Sequence, residues 1–423
     1  MNRRHFPWPA VTLLLAAALA CQTLAPAADG DEPGRATATP LDLVDSAGDK
    51  QAAPDFDYDA GSVPDYLTPG EGATDVKLDE RRLPFLSLFP VLRDAPAPTW
   101  LDAGARVTYR VESASIAQAA DEEGAAGAGY VQNDVVAVED GLIVSTSKLY
   151  LDRLDGGVLP YGLFPALGLP GVGDYWLNPS PLAEAEQVAV DDLTVTRHSE
   201  TFAGERFETV RFDYTPEDAH YVWKYDPESG LLLEYRHDLG GDDAAHRQIT
   251  IVTFVGLRHL ELPWAAARLP DWVCNTNWLR YTGSFVSVVA GDAAPGLDYA
   301  VEIDLRDCAR RWAVYDLTSQ LTDLPAETAT RLGGAAQLFD SLWLPPSALD
   351  ALDAEQVLDR DPITGAEVSA EPDPDGMLTL WEIGDYYSAA LTYDDDGRLV
   401  ALEQQQQIGL AATIVALTLK DWE

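Results

Sequence analysis

The sequence predicts a mainly β (α+β) protein in which two tandem homologous domains of antiparallel sheet carry short helical insertions. A tryptophan motif, W-L-x-P-S-x-L, begins at Trp176 and again at Trp343, an offset of 343 − 176 = 167 residues. A turn that starts with Tyr-Asp ends at Gly230 and again at Gly397, and 397 − 230 is also 167. Two unrelated landmarks that recur at one spacing indicate a duplicated domain. Between them, β-branched and aromatic runs alternate with turn residues, which is typical of strands.

The length and charge of the chain limit its domain count and its partners. With 423 residues, the chain is long enough for two hydrophobic cores and additional segments. It carries 70 Asp and Glu against 28 Lys and Arg, a net charge of −42. A polyanionic surface repels nucleic acid and anionic lipid headgroups, so we expect no nucleic-acid partner. The scarcity of lysine fits either a salt-adapted surface or a genome that favours arginine codons.

The N-terminus predicts export. In residues 1–21, two arginines precede an apolar run over 11–20 that is too short to span a bilayer. The residues before Cys21 resemble a bacterial lipobox, in which this cysteine is lipidated and becomes the membrane-anchored N-terminus. An A-x-A site at 25–27 offers ordinary cleavage as the alternative. We expect an exported protein, anchored to a membrane through its N-terminal lipid or released outside the cytoplasm.

Composition divides the remaining chain into a linker and two repeats. Residues 22–98 are acidic and rich in Pro, Ala and Gly, so they cannot bury enough apolar surface to offset chain entropy. We interpret them as a disordered linker, in which the apolar segment 83–92 docks onto the first domain. The first β-rich repeat is predicted over 99–266 and the second over 275–423.

In the first repeat, turn signals separate short strands. Glu-Asp-Gly at 139–141 is typical of a hairpin turn. Because side chains alternate along a strand, Tyr221, Trp223 and Tyr225 are expected to share one face. The predicted strands are 105–111, 135–138, 142–151, 207–214, 221–225, 231–235 and 249–255.

The second repeat shows the same order, and consecutive hairpins of this kind form antiparallel meanders. Trp278 is expected to occupy the place that Trp100 holds in the first repeat. Short helices are predicted after each tryptophan motif, over 182–186 and 347–353. The predicted strands are 284–289, 299–303, 312–315, 377–383, 387–393, 398–402 and 414–419.

Two cysteines, Cys274 and Cys308, remain beyond the export signal. In an exported domain they are expected to form a disulfide, with two buried free thiols as the alternative. No G-x-S-x-G, P-loop, dinucleotide-binding fingerprint or C-x-x-C motif occurs, and the five histidines beyond the signal have no short paired spacing. We therefore expect no catalysis and no cofactor.

Calcium binding is an alternative at one acidic segment. Glu371, Asp373, Asp375 and Glu382 stand at positions one, three, five and twelve of a loop with Gly376 at position six, as in a calcium-binding loop. Two prolines interrupt the loop and no helical pattern flanks it, which favours an acidic β-turn.

The chain resembles the bacterial lipoprotein-carrier superfamily of the LolA/LppX type. The resemblance is carried by an exported antiparallel meander with an apolar insertion and a Tyr-Asp…Gly turn near the end of each unit, at 225–231 and 393–399. It covers residues 100–266 and 275–423 separately. It implies a curved, half-barrel-like sheet whose helices line a hydrophobic cavity for acyl chains. The family normally has one such unit per chain, whereas this chain has two.

We expect the protein to bind a hydrophobic ligand, a lipid or lipopeptide, in its concave sheet faces without catalysis. For each tryptophan among the proposed cavity residues, the alternative is that it fills the core of its own domain. A second functional hypothesis is an acidic surface scaffold or adhesion module that binds calcium, and a third is an extracytoplasmic hydrolase. The residues expected to line or cover the cavity are Trp176, Trp223, Trp343, Trp381, Leu163 and Phe164.

Overall fold

The computed structural model describes Pro98 and residues 100–423, apart from short internal gaps. The gaps are 118–124, 140–141, 156–174, 178, 186–187, 191, 216–218, 240–245, 290–291, 323, 339–340, 374 and 409–410.

Nine antiparallel strands form the first sheet, in the order β3-β2-β1-β9-β8-β7-β6-β5-β4. The first strand therefore lies between the second and the last, and β3 and β4 are the two edges. The strands are β1 Ala105–Ala117, β2 Ala125–Glu139, β3 Leu142–Asp155, β4 Val188–Val190, β5 Leu193–Phe202, β6 Glu205–Tyr214, β7 Ala219–Tyr225, β8 Leu232–Leu239 and β9 His246–His259.

The second sheet repeats this topology. Its path is β14-β13-β12-β10-β20-β19-β18-β17-β16-β15, and β11 lies off this path and pairs with β10. The first strand, β10, again lies between the next long strand and the last, so the predicted architecture of two mainly β domains is confirmed. The strands are β10 Trp278–Val289, β11 Asp292–Ala293, β12 Leu297–Cys308, β13 Trp312–Leu321, β14 Glu327–Gly334, β15 Gln356–Arg360, β16 Glu367–Pro372, β17 Leu378–Gly384, β18 Tyr387–Tyr393, β19 Leu399–Ile408 and β20 Ala411–Trp422.

A short helix is present at each tryptophan motif, as predicted, but each begins at the proline within the motif and therefore earlier than expected. Helix α1 spans Pro179–Glu184 and helix α2 spans Pro346–Ala351. Both begin at a proline, because proline has the backbone φ of a first helical turn and lacks an N–H that would have no partner there. A single turn of 3₁₀ helix, Val273–Asn275, precedes β10.

The two tryptophan motifs dock onto the two Tyr-Asp turns in the same way. The backbone N–H of Leu177 donates to the Gly230 carbonyl at 2.7 Å, and that of Leu344 donates to the Gly397 carbonyl at 2.8 Å. At Gly230, φ is +73° and an added Cβ would lie 1.8 Å from the Leu177 carbonyl oxygen. Only glycine tolerates both the left-handed backbone and this close approach. The two sequence landmarks of each repeat are therefore one structural unit.

A tryptophan before each repeat's first strand completes this unit. The indole N–H of Trp100 donates to the Ser229 carbonyl at 2.9 Å. The equivalent bond in the second repeat runs from Trp272 to the Asp396 carbonyl, at 3.0 Å. The expected match of Trp100 with Trp278 is therefore wrong, because Trp278 instead lies within β10 and contacts the C-terminal residue Glu423.

A disulfide joins Cys274 to Cys308, with Cα atoms 5.6 Å apart and 34 residues of sequence separation. It connects the 3₁₀ turn to the last residue of β12. The segment that carries Trp272 is thereby held against the second sheet.

Strand β1 is buried on both of its faces. Val107 and Tyr109 point into the first domain's core, and Arg106 and Thr108 on the opposite face are also buried. The second domain has its own core, which includes Tyr281, Trp343 and Tyr393. The far face of β1 lies against the second repeat.

Buried ions join the repeats across this interface. Arg258 of β9 donates to Asp359 and to Asp361, each at 2.6 Å, while Arg106 bonds Asp134 at 2.6 Å and Asp359 at 3.1 Å. Burial is the largest influence on the pKa of Arg106 and would lower it, but Asp134, Tyr150 and Asp359 together raise that pKa above its ordinary value. Burial opposes ionisation of Asp361, yet Arg258, the backbone N–H of Thr364 and Arg106 together hold its pKa below the usual value.

Close backbone packing adds to the interface. The N–H of Ala336 donates to the carbonyl of Val136 at 2.9 Å. A Cβ on Gly334 would lie 2.4 Å from the same oxygen. Trp312 and Leu332 pack on a small apolar cluster that contains Val136. These contacts and the ions join the two repeats within one compact unit.

Candidate functional site

Most of the predicted ligand-binding tryptophans lie in the cores. Trp176 and Trp343 are almost fully buried where each tryptophan motif docks onto its Tyr-Asp turn, and Trp223 is 5% exposed. Trp381 is half-buried on the non-core face of β17, where its indole N–H donates to Glu371 at 3.0 Å. Within the described residues, Trp223 is the one of these four tryptophans that lies next to half-buried aromatic rings of the core face. Leu163 and Phe164 lie outside the described residues.

The four acidic residues of the predicted calcium loop do not converge. Asp373 begins a tight turn between β16 and β17, in which its carboxylate accepts the N–H of Asp375 at 2.9 Å. Glu382 is buried and instead accepts hydrogen bonds from Lys148 and Tyr150 of the first repeat. In the described part of the chain, no group of three or more His, Cys, Asp or Glu residues is arranged to hold a metal.

Five rings on the core face of β6, β7 and β8 form what we call the aromatic row. The sheet register brings them together: Tyr214 lies opposite Tyr221, Tyr221 opposite His237, and Trp223 opposite Tyr235. Directly opposed residues in antiparallel strands point to the same face. The predicted common face of Tyr221 and Trp223 is therefore observed, and two neighbouring strands extend it.

The rings of the aromatic row pack closely. Tyr221 is stacked on Trp223 with centroids 5.7 Å apart, and on Tyr214 at 6.1 Å. His237 stands edge-on to Tyr221 at 6.4 Å and to Tyr235 at 5.6 Å. Such pairs contribute about 0.5–1.5 kcal/mol each beyond the area that they bury. The row is therefore a preorganised surface.

The exposure of the aromatic row changes along its length. Trp223, Tyr235 and His237 are buried, whereas Tyr214 and Tyr221 are half-buried. Burial, followed by the influence of Tyr214, raises the pKa of Tyr221, so its hydroxyl stays protonated at neutral pH. The row thus extends from the closed core to a rim that carries phenol groups.

His237 has an unfilled hydrogen-bonding position. Its Nδ1 lies 3.1 Å from the hydroxyl of Tyr235, whereas its buried Nε2 has no hydrogen-bond partner among the described residues. A buried polar atom without a partner costs about 1–3 kcal/mol. Burial lowers the pKa of His237, and Asp238 opposes this shift only in part. The ring is therefore neutral at pH 7.

The same row of the second repeat has a different composition and contacts the first repeat. Glu382, Ala389 and Gln404 lie opposite one another there, in the places of Tyr214, Tyr221 and His237. Glu382 binds Lys148 and Tyr150 of the first repeat. In the second repeat, therefore, the surface equivalent to the aromatic row is in contact with the first repeat.

Sequence reasoning missed Tyr214, Tyr235 and His237 as members of the site. The i, i+2 spacing of Tyr235 and His237 in a strand was a signal that they share a face. The strand partners that align them with Tyr221 and Trp223 are set by the sheet register.

An open groove of about 690 Å³ lies beside the 3₁₀ turn of the second domain. Apolar residues such as Trp272 and Pro346 alternate in its wall with Arg310, Asp395 and Asp396. Its charges are mixed, so they do not indicate one ligand class. None of the helices in the described residues has the length and apolar character needed to cross a membrane.

Comparisons with known proteins assign no family. No protein-family model matches the chain, and no curated protein matches it. A protein of unknown function of the DUF3598 family from Nostoc punctiforme is similar at 11% identity and a TM-score of 0.13, over 74% of this chain and 95% of that one. MucB in complex with MucA(peri) is similar at 11% identity and a TM-score of 0.15, over 76% and 90%. Since both TM-scores are far below 0.5, these likenesses carry no argument about fold or function.

Proposed function

We propose that this chain is an exported, lipid-anchored, non-catalytic protein that binds a hydrophobic ligand on the aromatic row of its first repeat. The observation that carries the proposal is that Tyr214 and Tyr221 are half-buried. They continue the row from buried Trp223, and they lie beside His237, whose Nε2 has no hydrogen-bond partner among the described residues. Binding sites for small molecules are typically apolar and aromatic, with a few placed polar groups.

Divergence of the two repeats supports this assignment. At the places of Tyr214 and Tyr221 the second repeat has Glu382 and Ala389, both buried. A ligand that covers half-exposed aromatic rings removes apolar surface from water, at about 25 cal/mol per Å². The row of the first repeat therefore has the stronger tendency to bind an apolar molecule.

The predicted N-terminal export signal agrees with this proposal, because an exported and tethered protein would meet lipids of the cell envelope. No observation in the described residues favours the calcium-dependent scaffold or the hydrolase.

The experiment compares ligand retention by variants of the full chain. Native mass spectrometry after gentle purification should show co-purified lipid on the unchanged protein, and Tyr221→Leu should reduce the ligand-bound fraction. Tyr299→Leu is the matched control, since Tyr299 is a half-buried tyrosine packed on the second core. An equal loss of bound ligand in both variants would contradict the proposal. So would the finding that neither the unchanged protein nor any variant carries or binds an apolar ligand.

A further inference from the structure

We infer that the ligand of the first repeat carries an uncharged oxygen-bearing end group, which hydrogen-bonds to Nε2 of His237. This inference rests on the proposed function and names the chemistry of its ligand. Alcohols, esters and ketones with an apolar body belong to this class, whereas carboxylates and phosphates do not.

The geometry leaves one position to be filled. The ring of His237 is held between Tyr221 of β7 and Tyr235 of β8, and it lies opposite fully buried Thr250 of β9. Nδ1 faces the Tyr235 hydroxyl, so Nε2 is the ring atom that remains for a ligand. His237 is 7% exposed, so bulk water has little access to this atom.

The bonding role of Nε2 follows from the tautomer. If Nδ1 accepts the Tyr235 proton, Nε2 carries a hydrogen and donates to a carbonyl or ether oxygen. If Nδ1 donates to Tyr235, Nε2 accepts from a hydroxyl. A hydroxyl can therefore serve either tautomer, whereas an ester or ketone serves the tautomer in which Nε2 carries the hydrogen.

Electrostatics argue against an anionic end group. His237 is neutral in its buried site. Its charged neighbours along β8, Arg236 and Asp238, point to the opposite face of the strand and pair with each other at 3.7 Å. The whole chain has a net charge of −42. A carboxylate placed there would lose its hydration without gaining a cationic partner, which is strongly unfavourable.

The apolar body of the ligand is expected to lie along the rim. Tyr221 and Tyr214 continue the row away from His237 and become half-exposed. The end group therefore enters toward the buried imidazole, and the body covers the phenol rings.

The test uses three probes of one chain length: dodecanol, methyl laurate and laurate. Calorimetry on the full chain at pH 7.5 measures their affinities for the unchanged protein, His237→Leu and His237→Gln. We expect the alcohol and the ester to bind more tightly than laurate. His237→Leu should weaken the two uncharged probes about fivefold, the effect of one neutral hydrogen bond, and leave laurate unchanged.

The variants separate hydrogen bonding from packing. His237→Gln keeps a hydrogen-bonding amide and should retain more affinity than His237→Leu. Thermal melting confirms that both variants fold, and the ranking of the three probes on the unchanged protein needs no variant. Tightest binding by laurate, or equal affinities in all three proteins, would overturn the inference and leave the proposed function intact. Failure of all three probes to bind would instead contradict the proposed function itself.

Discussion

The backbone N–H of Leu177 donates to the carbonyl of Gly230 at 2.7 Å, which joins the tryptophan motif to the Tyr-Asp turn. The same bond joins Leu344 to Gly397 in the second repeat. The two sequence landmarks recur together because, in each repeat, they are the two sides of one contact.

Gly230→Ala is expected to destabilise the protein by at least about 3 kcal/mol, since it combines backbone strain with a clash that removes native packing. The left-handed φ of +73° is unfavourable for alanine, and its Cβ would overlap the Leu177 carbonyl oxygen. Gly204→Ala is the matched control. Its φ is +83°, but no atom lies within 4 Å of an added Cβ, so we expect only about 1 kcal/mol from the strained backbone. Denaturant unfolding measures both, and equal losses would show that the Leu177 contact is unimportant.

Asp359→Ala is expected to cost about 3 kcal/mol or more, because it leaves Arg258 and Arg106 partly unpaired at the buried interface. The surface pair of Arg280 and Glu302 provides the comparison. Glu302→Ala should change the free energy of unfolding by less than about 1 kcal/mol, since exposed ion pairs contribute little. Urea unfolding at neutral pH measures both variants. A loss at Asp359 no larger than that at Glu302 would argue against a stabilising role for the interface ions.

Acid should weaken the fold in two separate pH ranges. Burial lowers the pKa of His237 below its ordinary value of 6.5. The unfolded chain then binds more protons than the folded chain, so stability is complete above pH 6.5 and falls as pH decreases through the folded pKa. Asp238 opposes the lowering of this pKa only in part.

Asp361 acts only at lower pH. Its pKa is held below 3.8 in the folded state, so its contribution is lost as pH falls below that value. His237→Gln should therefore flatten the fall in stability just below pH 6.5 and leave the steeper acid loss unchanged. Unfolding measured from pH 8 to pH 3 provides the check, and an unchanged profile in the variant would mean that His237 is not buried in its neutral form.

Several elements were predictable because their signals are local. Strand alternation predicted the common face of Tyr221 and Trp223, and the proline-containing motifs predicted both short helices. Strand β5 was missed because its exposed positions are polar and its alternation is weak. It is recognisable as a strand only beside its partner β6.

The site was harder to predict than the fold. Trp176, Trp223 and Trp343 were all expected to line the cavity, yet only Trp223 adjoins half-buried rings of the core face. Glu382 looked like a metal ligand because it is acidic and correctly spaced. In the structure it forms part of the interface, through contacts with Lys148 and Tyr150 more than 200 residues earlier in the chain.

The sequence by itself determined the duplication, the strand-rich character of both halves and the glycine that each docked turn requires. These properties depend on alternation, turn chemistry and internal repetition, all of which act over short distances along the chain. The tertiary structure alone decided that Trp272 corresponds to Trp100, that His237 faces Tyr221, and that the far face of β1 lies against the second repeat. Those relationships depend on sheet register and domain packing, in which residues far apart in sequence meet because their combined surfaces exclude water.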